Sequence, residues 1–149
     1  MPRIRPGEDR LEPQKMKFIF SKERAGANVS IKLWEELDPT RQNSMLKGTD
    51  LEQDEVPVVG LPNGRNPIVI TTQRIIWRST EGLFSIDISA ISSVDAPGFG
   101  ECSKLDLHRL RLKTRDGTEY LLDAMAGKEF FVLWNFALRI IDTSDALPQ

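Results

Sequence analysis

The chain has 149 residues, 40% of them apolar and 28% charged, proportions that fit one globular core and exclude the low-hydrophobicity, high-charge class of disordered chains. Twenty Lys and Arg against 22 Asp and Glu leave a formal charge of -2, without the positive field that a duplex nucleic-acid binder needs. A lone Cys102 forms no internal disulfide, the opening MPRIRPGEDR has no apolar leader region, and no run nears the roughly 18 apolar residues of a membrane-spanning helix, so the expected compartment is the cytoplasm.

Residues 1–14 mix Pro2, Pro6, Gly7 and Pro13 with charges and show no apolar period, which predicts a disordered or draped arm. Residues 15–53 read as an N-terminal extension. Phe18 and Phe20 mark a short strand, and Val29, Ile31 and Leu33 alternate with Ser30 and Lys32 as in a second, so a hairpin is expected between Met16 and Gly48. Asp38 followed by Pro39 is the chemistry of a helix N-cap with proline in the first turn, and Gly48 stands where such a helix would stop. The acidic run Asp50, Glu52, Asp54, Glu55 reads as a solvated linker into the main domain.

From Val56 onward, short apolar segments are separated by turn signals at the spacing of an all-β sandwich or barrel. Val56 to Leu61 leads through Asn63-Gly64, a hairpin dipeptide, into Pro67 to Thr71. Arg74 to Arg78 follows, and then Phe84, Ile86 and Ile88 alternate with polar residues, which predicts one buried and one wet face. Ile91 to Val94 is shorter. Leu105 to Thr114 and Tyr120 to Leu122 flank a second hairpin dipeptide, Asp116-Gly117, which brings the expected number of strands to about seven. The change of parity from Leu105 and Leu107 to Leu110 predicts a bulge near His108.

A helix is expected from Gly127 to Asp142, leaving residues 143–149 as a tail. On a helical wheel its polar residues fill one narrow sector while apolar ones cover roughly 260°. Phe130, Trp134, Ala137 and Ile141 suffice for one side of a sheet. The remainder, around Val132, Phe136 and Ile140, needs either the N-terminal segment or another chain as cover, and so is a candidate partner-binding face.

The run Ile68 to Arg78, with its Thr-x-x-Arg turn at Thr71 to Arg74, resembles the signature of bacterial pleckstrin-homology-like and GRAM-like domains. Phe84 to Ile88 with Ile91 to Val94 is similar to the strand pair that follows that turn, Leu110 to Tyr120 to the penultimate hairpin, and the apolar helix to the barrel plug. The resemblance covers about residues 54–142. It implies a seven-stranded antiparallel barrel of two near-orthogonal sheets capped by a C-terminal helix, used to bind phosphoinositides, peptides or proteins, with no activity and no cofactor. Lipid-binding members carry several cations around the first hairpin, whereas Arg65 is the single cation between Leu61 and Asn66.

The most suggestive polar feature is basic. Lys104, Arg109, Arg111, Lys113 and Arg115 are opposed by Asp106 alone, and Arg109, Arg111 and Lys113 share one strand face by period two. They are candidates for contact with an acidic protein, or, with Arg65 and Arg115, with an anionic lipid; the alternative is a solvated face that keeps a strand soluble. Arg74 and Trp77 read as scaffold residues. His108 and Cys102 are too isolated for a zinc site or a nucleophile, and the adjacent Glu35 and Glu36 make a poor acid–base pair. The expectation is a non-enzymatic protein-binding module, an adaptor or an inhibitor of the immunity type, that takes a protein partner or self-associates, without metal or nucleic acid; the alternative is a peripheral domain that binds anionic lipid.

Overall fold

Among the residues that the computed structural model describes, 11–63, 66–100 and 107–145, eight strands form two antiparallel sheets, accompanied by three α-helices. Helix α1 (Pro13–Arg24), strand β1 (Lys32–Leu33) and helix α2 (Pro39–Leu46) make up the N-terminal extension. Strands β2 (Pro57–Leu61), β3 (Ile68–Thr71), β4 (Arg74–Ser79) and β5 (Gly82–Asp87) follow in order beside β1 in the first sheet. Strands β6 (Ile91–Asp95), β7 (Arg109–Thr114) and β8 (Glu119–Asp123) make the second, and α3 (Lys128–Asp145) ends the described chain. The fold is thus mainly β with helices. None of the described helices is long and apolar enough to cross a membrane.

Period-two burial explains the sheets. Ile75, Trp77 and Ile86 of the first sheet meet Val94, Leu110, Leu112 and Leu122 of the second, and Phe130, Leu133 and Ala137 of α3 complete this core. The predicted strands coincide with β2 to β8 to within a few residues. Asp116-Gly117 makes the β7–β8 turn, with Gly117 at φ 92°, a backbone region in which a side chain is strained. Leu107 and Leu110 are both buried, so the parity change falls between them, ahead of β7; the ladder irregularities are instead on β2 between Pro57 and Val59, and on β6 between Ile91 and Ser93.

The extension departs most from expectation. The helix after Asp38 is present, with the Arg41 backbone N–H donating to the Asp38 carboxylate at 2.8 Å. The expected hairpin is not: the segment around Phe18 and Phe20 is α1. Met16, Ile19 and Phe20, spaced three and four apart, are its buried face, whereas Phe18 is 59% exposed. Leu11 is buried too, so residues 11–14 are part of the fold rather than a loose arm.

Both units of the extension cover the β-domain. Helix α1 packs along α3, and Phe20 meets Phe136 edge-on with ring centroids 5.4 Å apart. Trp34, Leu37, Met45 and Leu46 lie on Val69 and Ile76, the outward residues of β3 and β4. Polar contacts secure the same arrangement. The Glu129 carboxylate at the start of α3 accepts from the backbone N–H groups of Ser30 and Ile31, and Arg78 donates to the Lys47 carbonyl. Helix α3 also runs three residues past the expected end at Asp142, with Ser144 buried.

Candidate functional site

The Thr71 to Arg74 turn is a structural clamp. The Thr71 hydroxyl accepts from the backbone N–H groups of Gln73 and Arg74 at 3.0 and 2.8 Å and donates to Glu55 at 2.5 Å. The Arg74 guanidinium grips both Glu55 oxygens at 2.9 and 2.8 Å and reaches the Asp50 carbonyl at 2.9 Å. Glu55 is therefore no member of a solvated linker: its side chain is fully buried. Burial works to raise the pKa of its carboxyl, but hydrogen bonds from Arg74 and Thr71 outweigh that and hold it below the ordinary value. Such a clamp fixes the linker against the β3–β4 turn.

The helix face proposed for a partner is closed within the chain. Val132, Phe136 and Ile140 are all buried, because α1 occupies the place that a second chain would have taken. A helical face needs only matching apolar residues as cover, and Met16, Ile19 and Phe20 supply them.

The basic strand has the predicted face. Leu110 and Leu112 point inward while Arg109, Arg111 and Lys113 point out. Its charges, however, are met from both sides. Arg109 donates to Asp123 on β8 at 3.0 Å, and Arg111 holds Asp95 on β6 bidentately at 2.9 and 2.5 Å. That grip holds the Asp95 carboxyl below its usual range. Arg115 bonds the Ser89 carbonyl at 3.1 Å and Asp145 at 2.5 Å, and Lys113 lies in register with Glu119. An anion would have to displace these carboxylates. Arg65, Cys102 and Lys104 lie outside the described residues.

Glu35 and Glu36 turn to different cations, Lys17 at 3.0 Å and Arg24. A polar cleft of about 400 Å³ beside them is lined by Ser30, Lys32, Glu36, Asp38 and Arg41. Its carboxylates are already engaged, Glu36 by Arg24 and the Leu33 N–H, Asp38 by the α2 N-terminus. Among the described residues no group of three or more His, Cys, Asp and Glu side chains is placed to hold a metal ion.

A different concavity was not legible in the sequence. A groove of about 380 Å³ lies between the β4–β5 hairpin and β8, lined by Trp77, Phe84, Tyr120 and Leu121 with Glu81, Glu119 and Asp123. Trp77 stacks on its cross-strand neighbour Phe84 at 5.7 Å and receives Tyr120 edge-on at 5.8 Å. The rings make a firm wall, and the rim carries three carboxylates and no cation among the lining residues. Beside it Leu121 is 53% exposed on β8, a terminal strand of its sheet among the described residues.

No family model matches the chain, and no curated protein is significantly similar to it.

Proposed function

We propose that the chain is a non-enzymatic protein-binding module, an adaptor or an inhibitor of the immunity type, built on a pleckstrin-homology-like barrel and working in the cytoplasm. Strands β2 to β8 would be the seven barrel strands, in sheets of four and three, with α3 as the plug and β1 belonging to the extension. The observation that carries the reading is the open aromatic groove with exposed Leu121 on β8, the terminal strand of its sheet among the described residues. Apolar surface rimmed by polar groups is the usual anatomy of a protein contact.

The engagement of Arg109, Arg111 and Arg115 by carboxylates supports this reading over the anionic-lipid one. The carboxylates that are buried or tightly bonded serve structural contacts, which supports binding over catalysis. The test is recovery of a partner from the native host and reconstitution of a one-to-one complex from the two purified proteins. Re-formation that weakens when Leu121→Glu is introduced supports the proposal; failure of any purified protein to re-form a complex removes it.

A further inference from the structure

The backbone of β8 has a directional pattern that the groove alone does not reveal. The Thr114 N–H donates to the Thr118 carbonyl at 2.9 Å, and the Ala124 N–H donates to the His108 carbonyl at 2.6 Å. Residues 118 and 124 thus face β7, and by the two-residue period so do Tyr120 and Leu122, which lie opposite Leu112 and Leu110. The N–H and C=O groups of Glu119, Leu121 and Asp123 consequently point the other way, toward the open edge. On that side the Asn63 side-chain amide donates to the Asp123 carbonyl at 3.4 Å.

The side chains of the same three residues also share one face, in the order acidic, apolar, acidic, and all three are exposed. A strand laid against this edge would place its own outward residues directly opposite them, where unlike charges attract and like charges repel. β7 already illustrates the rule on the inner side, with Lys113 opposite Glu119, Arg111 opposite Leu121 and Arg109 opposite Asp123. A second copy of the chain fits poorly. Antiparallel pairing of two β8 strands about Leu121 sets Glu119 against Asp123 twice, a repulsion that keeps such an edge from self-pairing.

Resting on the protein-binding reading, we infer that β8 accepts an extended segment of a partner protein as an added strand, with basic residues opposite Glu119 and Asp123 and an apolar residue opposite Leu121. Main-chain bonds to the edge supply attraction, and the alternating side chains supply selectivity. The intervening residues of that segment face inward, toward the groove walled by Tyr120, Phe84 and Trp77.

The probe is the blocked pentapeptide Ac-KVLVK-amide, titrated into the isotope-labelled full chain and followed by amide NMR shifts. The expected result is saturable shifts centred on Glu119, Leu121 and Asp123. Ac-EVLVE-amide should give none, and the Glu119→Gln/Asp123→Asn double variant should bind KVLVK about fivefold more weakly. N-methylation of the central leucine, which removes the donor aimed at the β8 edge, should abolish binding. Absence of shifts at β8, equal binding of the two charge patterns, or full binding by the N-methylated peptide would each overturn the inference. None of these results bears on whether a purified complex re-forms, so the wider protein-binding reading stands or falls separately.

Discussion

Phe20 on α1 and Phe136 on α3 are both fully buried and meet edge to face at 5.4 Å, 116 residues apart in the chain. This contact makes the extension part of the domain, because α3 has more apolar surface than the sheets alone cover. Phe20→Ala removes a large core side chain and should cost about 3–5 kcal/mol. Urea denaturation should show the whole chain unfolding at lower denaturant in one transition. Separate unfolding of α1 ahead of the sheets would contradict the packing.

Glu55 and Arg74 should form an acid-sensitive pair. The folded-state pKa of Glu55 lies below its ordinary value of 4.5, so the unfolded chain binds the proton more readily. The stabilisation is complete above that value and is lost as pH falls through the folded one. Glu55→Gln leaves the Arg74 charge without its counterpart and should destabilise by about 3 kcal/mol at neutral pH. Its stability should also fall less steeply between pH 5 and 3, by roughly the share that this one carboxylate contributes. A variant that keeps the acid sensitivity of the parent in chemical denaturation would refute that assignment.

Gly60 tests the seat of α2. A Cβ there would meet Leu37 Cδ1 at 2.8 Å, Met45 Cε at 3.0 Å and Trp34 Cε3 at 3.2 Å. Gly60→Ala should therefore displace these side chains and cost about 1–2 kcal/mol through overpacking. Near-ultraviolet dichroism should change at the same time, since Trp34 must shift. An unaltered spectrum and unaltered stability would mean that the cover is looser than described.

The neutralised face of β7 predicts no sedimentation with phosphatidylserine-rich vesicles at low salt. Freeing the arginines by Asp95→Asn and Asp123→Asn should create binding that fades as salt is added. Strong, salt-sensitive binding by the unmodified chain would favour the lipid alternative.

Local chemistry was readable where it was self-contained. Asp38 with Pro39 announced α2 because a cap is made by neighbours in sequence, and Asp116-Gly117 announced its turn because few residues adopt the backbone angles required. α1 looks like a strand in the sequence because Phe18 and Phe20 alternate as a strand would. The helical signal was also present, in Pro13 at the first turn and in Met16, Ile19 and Phe20 at helical spacing, but the exposed Phe18 masked it. The basic strand is legible as a face from its two-residue period, but its carboxylate partners are not, because Asp95 and Asp145 lie far from it in sequence. The β8 edge had no local signal at all. Glu119, Leu121 and Asp123 look like an ordinary solvated strand face until the sheet order places them at its end.

The most direct measurement is amide hydrogen exchange on the chain alone and in its reconstituted complex. Fast exchange is expected at Glu119, Leu121 and Asp123 in the free chain, with at least about tenfold slowing at those three on binding, while Tyr120 and Leu122, already bonded to β7, change little. Protection that appears elsewhere and leaves those three amides as fast as before would contradict binding at the β8 edge.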